Sequence, residues 1–330
     1  MKRISLLLAA LFLSAAGCVQ QELSPKTVQK TESIMGTEVT VTVVARTAGE
    51  GEAAIDAAMT EIKRLDAMMS LYKDDSEITG VNLAAGKRPV RVSPEMIEVA
   101  AEAEKIARLS NGAFDVTIGP LVVLWQMGLK EGKVPTDEEI KRILPRVGYW
   151  NIVIDKKAST LFLKKPDMIM DFGGCAKGYA ADKAAEVLRK QGIRNGIVAI
   201  AGDIRAMGRR EDGRPWRIGV QHPRKENKTL TVLELSDKSV STSGDYERFR
   251  IVKKKRYHHI LDPRTGKPSQ GMESVTVIGD RGAVIDPLTT ALFILGPGKG
   301  MKMVKDLGCD AIFVDDRGRV AATEGIKIDR

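Results

Sequence analysis

The chain has few aromatic residues and few histidines. Aromatic residues make up 5% of its 330 residues, and basic residues are scattered apart from the run Lys253–Arg256. The chain therefore lacks the interleaved basic and aromatic surface typical of nucleic-acid binding, and we predict that the run is a hairpin tip. No zinc-type ligand spacing is present, so a transition-metal site is not expected. The formal charge of +9 suits solubility, anionic ligands or an anionic membrane surface.

Only one long apolar run occurs, and it lies at the N-terminus. Two basic residues precede Ile4–Leu13, and the sequence Ala-Gly-Cys follows, ending at Cys18. This pattern predicts a signal peptide over residues 1–17, which is too short to span a membrane as a helix. Its end is similar to a bacterial lipobox. We therefore expect Cys18 to be lipidated, residues 18–30 to form a tether, and the protein to be anchored by lipid in the cell envelope, facing the periplasm.

Two further cysteines are too few for a disulfide framework. Cys175 and Cys309 could pair in an exported protein. We favour the interpretation that both are buried free thiols.

The segment Met170–Asp182 combines the end of an apolar strand, a glycine-rich turn and the start of a helix. Such an arrangement brings backbone N–H groups and the positive end of a helix to an anion. Lys177 opens the helix, where its charge is unfavourable to the helix dipole but suits a phosphate. Asp171 lies at the end of the strand. A tight turn with a solvated lysine also explains this segment, since it matches neither the dinucleotide-binding motif nor the P-loop.

A second cluster of oxygen ligands begins at Asp286. Thr289 and Thr290 follow at helical spacing, so one carboxylate and two hydroxyls share one helix entrance. Oxygen ligands of this kind suit Mg²⁺. The pattern is also explained by Asp286 as a helix N-cap with Pro287 as the first helical residue.

A histidine pair, His258 and His259, lies close to Asp262. One of the two could act as a general base, or both could be surface residues of a strand. Tyr72, Phe114 and Asp115 could bind a ligand or pack, and their spacing does not decide between these roles.

Secondary-structure patterns predict an α+β fold. Helical periodicity or capping residues mark six segments: 51–69, 93–109, 136–145, 177–191, 286–295 and 299–307. Alternating or short apolar segments predict strands, mostly in the second half: 38–45, 151–155, 159–163, 196–201, 204–207, 216–221, 230–235, 239–243, 274–278, 311–314 and 319–322. Because helices cluster early and strands late, we expect mixed or antiparallel sheets rather than a doubly wound fold. No internal repeat or linker divides residues 31–330, so they are predicted to form one domain.

Seven short motifs occur in a fixed order along residues 31–323. They are Met35-Gly36-Thr37, Ser70-Leu71-Tyr72 with Ser76-Glu77, Gly112-Ala113-Phe114-Asp115 with Gly119-Pro120-Leu121, residues 171–182, residues 242–247, residues 259–266 and residues 286–290. Together with the lipoprotein signal, this order resembles the ApbE family of FAD:protein FMN transferases.

The resemblance implies a fold and a reaction. The fold would be of the T-fold type, with FAD bound in a cleft between two lobes. The reaction would be Mg²⁺-dependent transfer of the FMN half of FAD to a Ser or Thr hydroxyl of a target flavoprotein, with release of AMP. Targets would be flavoproteins of the sodium-translocating NADH:quinone reductase or Rnf type.

The resemblance also implies roles for individual residues. His259 matches the proposed catalytic base of the family. Mg²⁺ would bind the Gly174 carbonyl and the side chains of Asp286, Thr289 and Thr290. The positions implied in FAD contact are Met35, Tyr72, Ala113, Phe114, Asp115, Asp171, Lys177 and Ile260.

The sequence departs from the family pattern at four places. Ala201 stands where the family usually has the first glycine of Gly-Gly-Asp. Cys175 stands where an aliphatic residue is usual, and Pro287 stands where alanine is common. Gln126-Met127 follows Trp125 where Gly-Phe is usual. None of these changes removes an implied ligand.

Two other activities fit the same residues. Water could replace the target hydroxyl, which would make the protein an FAD pyrophosphatase that forms FMN and AMP. Alternatively, the protein could be a lipoprotein that binds flavin without catalysis, although the presence of His259 together with residues 286–290 argues against this.

Overall fold

The computed structural model describes residues 25–328, so the predicted signal peptide and Cys18 lie outside the described residues. The tether prediction for residues 18–30 is wrong at its C-terminal end, because a strand already begins at Lys26. This strand is mostly polar and exposed, since it lies at the edge of a sheet, and its sequence therefore lacks the apolar alternation of a half-buried strand.

Residues 25–328 contain seven α-helices, two short 3₁₀ helices (Leu144–Arg146 and Tyr149–Asn151) and seventeen strands. The helices are α1 (Ala48–Met69), α2 (Glu77–Leu83), α3 (Pro94–Leu109), α4 (Gly119–Lys130), α5 (Asp137–Ile143), α6 (Ala176–Lys190) and α7 (Gly282–Asp306). The strands are β1 (Lys26–Ile34), β2 (Thr37–Ala45), β3 (Val90–Arg91), β4 (Ile152–Asp155), β5 (Thr160–Leu163), β6 (Asn195–Ile200), β7 (Asp203–Met207), β8 (Trp216–Gln221), β9 (Thr229–Leu235), β10 (Ser239–Gly244), β11 (Phe249–Val252), β12 (Lys255–His258), β13 (Leu261–Asp262), β14 (Lys267–Pro268), β15 (Met272–Gly279), β16 (Asp310–Asp315) and β17 (Val320–Ala322).

An eight-stranded sheet is the centre of the fold. Its order is β1-β2-β6-β7-β10-β15-β16-β17, and every neighbouring pair is antiparallel. The smaller sheets, β3-β5-β4, β8-β9, β11-β12 and β13-β14, are antiparallel as well. The predicted α+β class with antiparallel sheets is therefore confirmed.

The two faces of the large sheet are covered differently. Helices α1, α6 and α7 pack on one face, where the main core includes Val41, Ile62, Leu188 and Val275. The β8–β9 hairpin covers the other face, and Trp216 packs there with side chains of the sheet. Burial of apolar side chains on both faces is the main force that holds the layers together.

A separate apolar cluster joins α4, α5 and the segment after β12. It contains Leu121, Trp125, Ile140, Val147 and Leu261. The Trp125 indole also donates a hydrogen bond of 2.7 Å to the Gly266 carbonyl, which fixes the turn after β13 against α4.

Several predicted elements needed correction. Helices α2 and α4 were not predicted: α2 has only seven residues, and α4 exposes the apolar side chains of Val123 and Met127. The N-cap prediction for Asp286 is wrong, since α7 begins at Gly282 and Asp286 lies in its interior. The predicted gap between two C-terminal helices is a kink at Gly296, whose φ of +69° is left-handed.

The predictions for the basic run Lys253–Arg256 and for the two thiols are confirmed in part, since Lys255 and Arg256 belong to β12 and Cys309 is not fully buried. Lys253 and Lys254 form the tip of the β11–β12 hairpin, both with positive φ. Cys175 is a buried free thiol and Cys309 a half-buried one. Within residues 25–328, no helix is long and apolar enough to cross a membrane.

Candidate active site

The site begins where α6 crosses α7 at very short range. A Cβ atom on Gly178 would lie 2.3 Å from the Gly282 carbonyl oxygen, so only glycine fits at this crossing. The crossing brings the Asp286 carboxylate to the first turn of α6, where it accepts a hydrogen bond of 2.9 Å from the Gly178 N–H. The positive end of α6 therefore faces a carboxylate supplied by α7.

A buried ion cluster occupies this helix end. The Lys177 ammonium pairs with the Asp203 carboxylate and lies 3.8 Å from Asp286 Oδ2. Burial alone lowers the pKa of Lys177, but attraction to the two carboxylates outweighs it and raises that pKa. Burial, followed by repulsion from Asp203, raises the pKa of Asp286 to about 7. Ser241 donates a hydrogen bond of 2.6 Å to Asp203 and helps to hold this second carboxylate.

Asp203 belongs to the site although the sequence did not indicate a role for it. It follows a left-handed turn at Ala201, whose φ is +51°. A glycine adopts this conformation without strain, which explains the glycine usual at this position in the family pattern. The turn brings Asp203 to Lys177, a contact that spacing along the chain does not reveal.

The residues predicted to bind Mg²⁺ lie close together. Asp286 and Thr290 are one helical turn apart, and a Cβ built on Gly174 would lie 3.7 Å from Thr290 Oγ1. Thr290 Oγ1 is also 3.3 Å from Ser243 Oγ. The hydroxyl of the buried Thr289 donates to the Ile285 carbonyl, which leaves its lone pairs for any further partner. These groups are all oxygens, as Mg²⁺ requires.

The charge balance of the cluster also fits a cation. The buried carboxylates of Asp203 and Asp286 share the single ammonium of Lys177, and the raised pKa of Asp286 shows that its carboxylate resists ionisation. A divalent ion beside Asp286 would compensate that charge. Among residues 25–328, no group of three or more His, Cys, Asp or Glu side chains is arranged to hold a metal. The predicted set differs from such a group, because it combines one carboxylate with hydroxyl and carbonyl oxygens.

The glycine-rich turn that precedes α6 is held from two sides. The Asp171 N–H donates a hydrogen bond of 2.7 Å to the Val116 carbonyl. The Asn82 side chain accepts a hydrogen bond of 2.8 Å from the Met170 N–H and donates one of 3.0 Å to the Met170 carbonyl. The Asp171 carboxylate accepts from the Gly173 N–H at 2.7 Å, and burial raises the pKa of Asp171.

The loop with Ala113, Phe114 and Asp115 forms an adjoining wall. Ala113 and Phe114 are buried, and the Phe114 ring would lie 3.2 Å from a Cβ on Gly174. The Asp115 carboxylate accepts three hydrogen bonds, from the N–H and the hydroxyl of Thr117 and from the Tyr149 N–H. Its carboxylate therefore shapes the loop, and its contact with FAD stays a prediction.

Two predicted FAD contacts lie on other loops. Met35 is half-buried in the left-handed β1–β2 turn, and Tyr72 is 83% exposed after α1. Within residues 25–328, neither Met35 nor Tyr72 forms an ion pair or a side-chain hydrogen bond with Lys177, Asp203 or Asp286. Their role stays a prediction, as does that of the buried Ile260, which lies directly after His259.

His259 presents one ring nitrogen for chemistry. Its Nδ1 is 3.2 Å from the Arg248 carbonyl oxygen. Because a carbonyl only accepts, Nδ1 carries the proton and Nε2 keeps a lone pair. The surrounding protein reduces hydration of the ring and lowers the pKa of His259 to about 4, with further lowering by the charges of Arg248 and Lys177. The ring is therefore neutral at physiological pH.

His258 has both ring nitrogens occupied. Its Nε2 donates to the Ser269 carbonyl at 2.8 Å, and its Nδ1 accepts from the Ile260 N–H at 3.3 Å. The ring is buried and packs edge-on against Phe293, with 5.6 Å between the ring centres. His258 therefore holds the strand end that orients His259.

Arg248 is a cation that the sequence did not indicate. Its charge acts on Asp171, Lys177 and His259, three ionisable groups of the predicted site. Among residues 25–328, no carboxylate lies within 4 Å of its guanidinium, and the residue is exposed. It directly follows the motif at residues 242–247, and that position is the only signal in the sequence.

Comparison with known proteins gives a consistent result. The model of the ApbE family matches residues 35–313. An Escherichia coli K12 protein named FAD:protein FMN transferase is 30% identical over 327 residues, which cover 96% of this chain and 93% of the relative. A Vibrio cholerae protein of the same name is 35% identical over 90% of this chain and 89% of its own length. The crystal structure of the ApbE protein from Thermotoga maritima superposes with a TM-score of 0.85 at 32% identity, covering 91% of this chain and 98% of the other.

Proposed function

Because the chain belongs to the ApbE family, we propose that it is an FAD:protein FMN transferase that attaches FMN to a Ser or Thr hydroxyl of a flavoprotein and releases AMP. The observation that carries this proposal is the neutral His259 ring with a free Nε2, beside a cluster of cations and oxygen ligands. A base and a site for a diphosphate are the two components that such a transfer needs.

The diphosphate of FAD would lie at the N-terminal end of α6. The exposed Arg248 supplies positive charge there, whereas the N–H groups of Gly173 and Gly178 already donate to Asp171 and Asp286. Lys177 is already paired with Asp203, so its main contribution is to compensate the buried carboxylates. Phe114, Tyr72 and Met35 would contact the flavin or the nucleoside.

The reaction forms one P–O bond and breaks another. His259 Nε2 accepts the proton of the acceptor hydroxyl, and the hydroxyl oxygen attacks the phosphorus on the FMN side of the diphosphate. The bond between that phosphorus and the bridging oxygen breaks, and AMP leaves with that oxygen. Arg248 stabilises the charge that grows on the phosphate oxygens.

Mg²⁺ is the metal that suits the ligand set. The Gly174 carbonyl, Asp286, Thr289 and Thr290 would hold it. When bound, the ion would neutralise negative charge on the diphosphate and on the departing AMP.

A hydrolase is the second candidate. The exposed His259 could activate water as readily as a hydroxyl, and FAD would then give free FMN and AMP. We favour transfer because the relatives are named FAD:protein FMN transferases.

The partners and location are part of the proposal. We propose flavoproteins of the sodium-translocating NADH:quinone reductase or Rnf type as targets. The lipobox-like sequence ending at Cys18 supports a lipid-anchored protein in the bacterial cell envelope that faces the periplasm.

Incubation with FAD and Mg²⁺, with and without an acceptor flavoprotein, tests the proposal. We expect the wild-type protein to form AMP only with the acceptor, together with a covalent flavin adduct on that acceptor. AMP and free FMN without any adduct would support the hydrolase. Intact FAD under all conditions would support a flavin-binding protein without catalysis.

A further inference from the structure

An open groove lies beside His259, between α4 and the β11–β12 hairpin. Its volume is about 650 Å³, and its walls include Trp125, Phe249 and Tyr257. A second cavity, of about 750 Å³, lies on the other side of Tyr257 and reaches Lys253 at the hairpin tip. Tyr257 lines both cavities, and together their walls reach from His259 to Lys253.

The walls of this groove are fixed by interactions within the protein. Trp125 is anchored by its hydrogen bond to the Gly266 carbonyl, and its ring centre lies 5.8 Å from that of Tyr257. The Arg256 guanidinium stacks over Phe249, with 4.1 Å to the ring centre. A preformed surface with aromatic walls suits a polypeptide segment, because little order is lost on binding.

The β11–β12 hairpin beside the groove is strongly positive. Arg250, Lys253, Lys254 and Lys255 are exposed on the hairpin, and among residues 25–328 none of them forms an ion pair. Glu247 is the only acidic residue in the wall of the cavity beside His259, whereas Glu131 and Glu139 line the second cavity, where Glu131 pairs with Lys133. An occupant with carboxylates would be attracted and oriented by this surface.

The hairpin also has free edges. Strands β11 and β12 pair only with each other among residues 25–328, so their outer backbone groups are open to an added strand. Ile251 on β11 is 65% exposed and adds an apolar side chain to this strand.

We propose that this groove and the β11–β12 hairpin form the docking surface for an acidic, hydroxyl-bearing segment of the acceptor protein. The inference rests on the proposed function, because the groove ends at His259, where the hydroxyl must arrive. Anionic membranes would also be attracted by Lys253–Lys255, but they would not use the aromatic walls beside His259.

Charge reversal at the hairpin tip tests the docking surface. The full-length variant with Lys253→Glu and Lys254→Glu is compared with a matched control, Lys156→Glu with Lys157→Glu, at the exposed tip of the β4–β5 hairpin. The probe is a short fluorescent peptide with one threonine between aspartates, and its twin has asparagines in their place. Anisotropy measures peptide binding without any need for catalysis.

We expect the tip variant to bind the acidic peptide about tenfold more weakly, and the control to bind as the wild type does. The asparagine twin should bind weakly to all three proteins, and the FAD dissociation constant should not change. Equal peptide affinity of the wild-type and tip variants would overturn the docking surface. Loss of binding to phosphatidylglycerol vesicles with unchanged peptide binding would overturn it as well, in favour of a membrane contact.

Failure of the proposed function has a different signature. In that case the wild-type protein transfers no FMN to the acceptor flavoprotein, whatever the anisotropy shows. If transfer occurs, the tip variant should raise the KM for the acceptor and leave kcat at saturating acceptor nearly unchanged, because Lys253 and Lys254 do not contact the reacting atoms.

Discussion

At the scale of single residues, two adjacent histidines have opposite roles because their hydrogen-bond partners differ. His258 uses both ring nitrogens within the protein, whereas His259 uses only Nδ1. A base needs a free lone pair, so the site has only one suitable imidazole. The sequence indicated a base within this pair, and the resemblance to the family favoured His259.

The first prediction concerns the strength of this base. His259→Ala should reduce the transfer rate by about 10²–10⁴-fold, which is typical of the loss of a general base, and leave FAD binding intact. His258→Ala should instead destabilise the protein, because it removes buried contacts. Single-turnover labelling together with FAD titration separates the two effects. A His259→Ala variant that labels the acceptor at the wild-type rate would exclude the base.

The pH profile gives a second prediction. The pKa of His259 is lowered to about 4, so the reactive neutral form is already dominant above that pH. The fall of kcat/KM at low pH that is caused by protonation of His259 should therefore have its midpoint near pH 4, well below the pKa of an ordinary histidine. A fall near pH 6.5 that disappears in His259→Ala would contradict the lowered pKa of the ring.

Asp286 gives a third prediction, on stability in the presence of a metal chelator. Its pKa is raised by burial and by Asp203, so the folded state binds a proton that the unfolded state releases between about pH 4 and 7. Stability should therefore fall as pH rises through this window, by at most about 1.4 kcal/mol per pH unit. Asp286→Asn should remove this dependence, and the exposed Asp74→Asn should keep it. Denaturant unfolding at several pH values measures the slope, and identical slopes in all three proteins would refute the assignment.

The contacts of single residues were only partly predictable. The spacing of Asp286, Thr289 and Thr290 places them on one helix face, and the structure has them there. By contrast, Asp203 and Arg248 reach the site through the tertiary fold. Lys177 was predicted to hold phosphate, but the nearest charges are carboxylates, which no local pattern around Lys177 encodes.

At the scale of elements, the crossing of α6 and α7 determines the geometry of the site. The missing side chain at Gly178 lets the two helices approach until Asp286 meets the α6 N-terminus.

The fourth prediction is that Gly178→Ala lowers the free energy of unfolding by about 1–3 kcal/mol and reduces transfer, because the added Cβ forces the helices apart. Gly49→Ala in α1 meets no atom within 4 Å, so it should be neutral or slightly stabilising. Chemical denaturation checks both variants, and equal effects would contradict the crossing.

Elements with regular patterns were predictable, and those without them were not. Helix α1 shows an apolar stripe and α3 begins with Ser93 and Pro94, so both were found from the sequence. Helix α4 has apolar residues on buried and exposed sides, which removes the helical period. Strand β1 is polar because one edge and most of its side chains face solvent.

At the scale of the whole molecule, one antiparallel sheet supports a site built on one of its layers. Helices α6 and α7 pack on the same face, and Asp203 and Ser241 come from the neighbouring strands β7 and β10. The β11–β12 hairpin and α4 add the groove that leads to His259. In the proposed function, the layer of α6 and α7 would bind FAD, and the groove would be a separate surface for the protein acceptor.

The central claim is that the acceptor hydroxyl attacks the phosphorus on the FMN side of FAD. The most direct measurement uses two samples of FAD, one with radioactive phosphorus on the FMN side and one with it on the AMP side. With the wild-type protein, Mg²⁺ and an acceptor flavoprotein, the FMN-side label should become covalently bound to the acceptor and the AMP-side label should appear in AMP, in equal amounts. Label from the AMP side on the acceptor, or FMN-side label only in free FMN, would contradict the account.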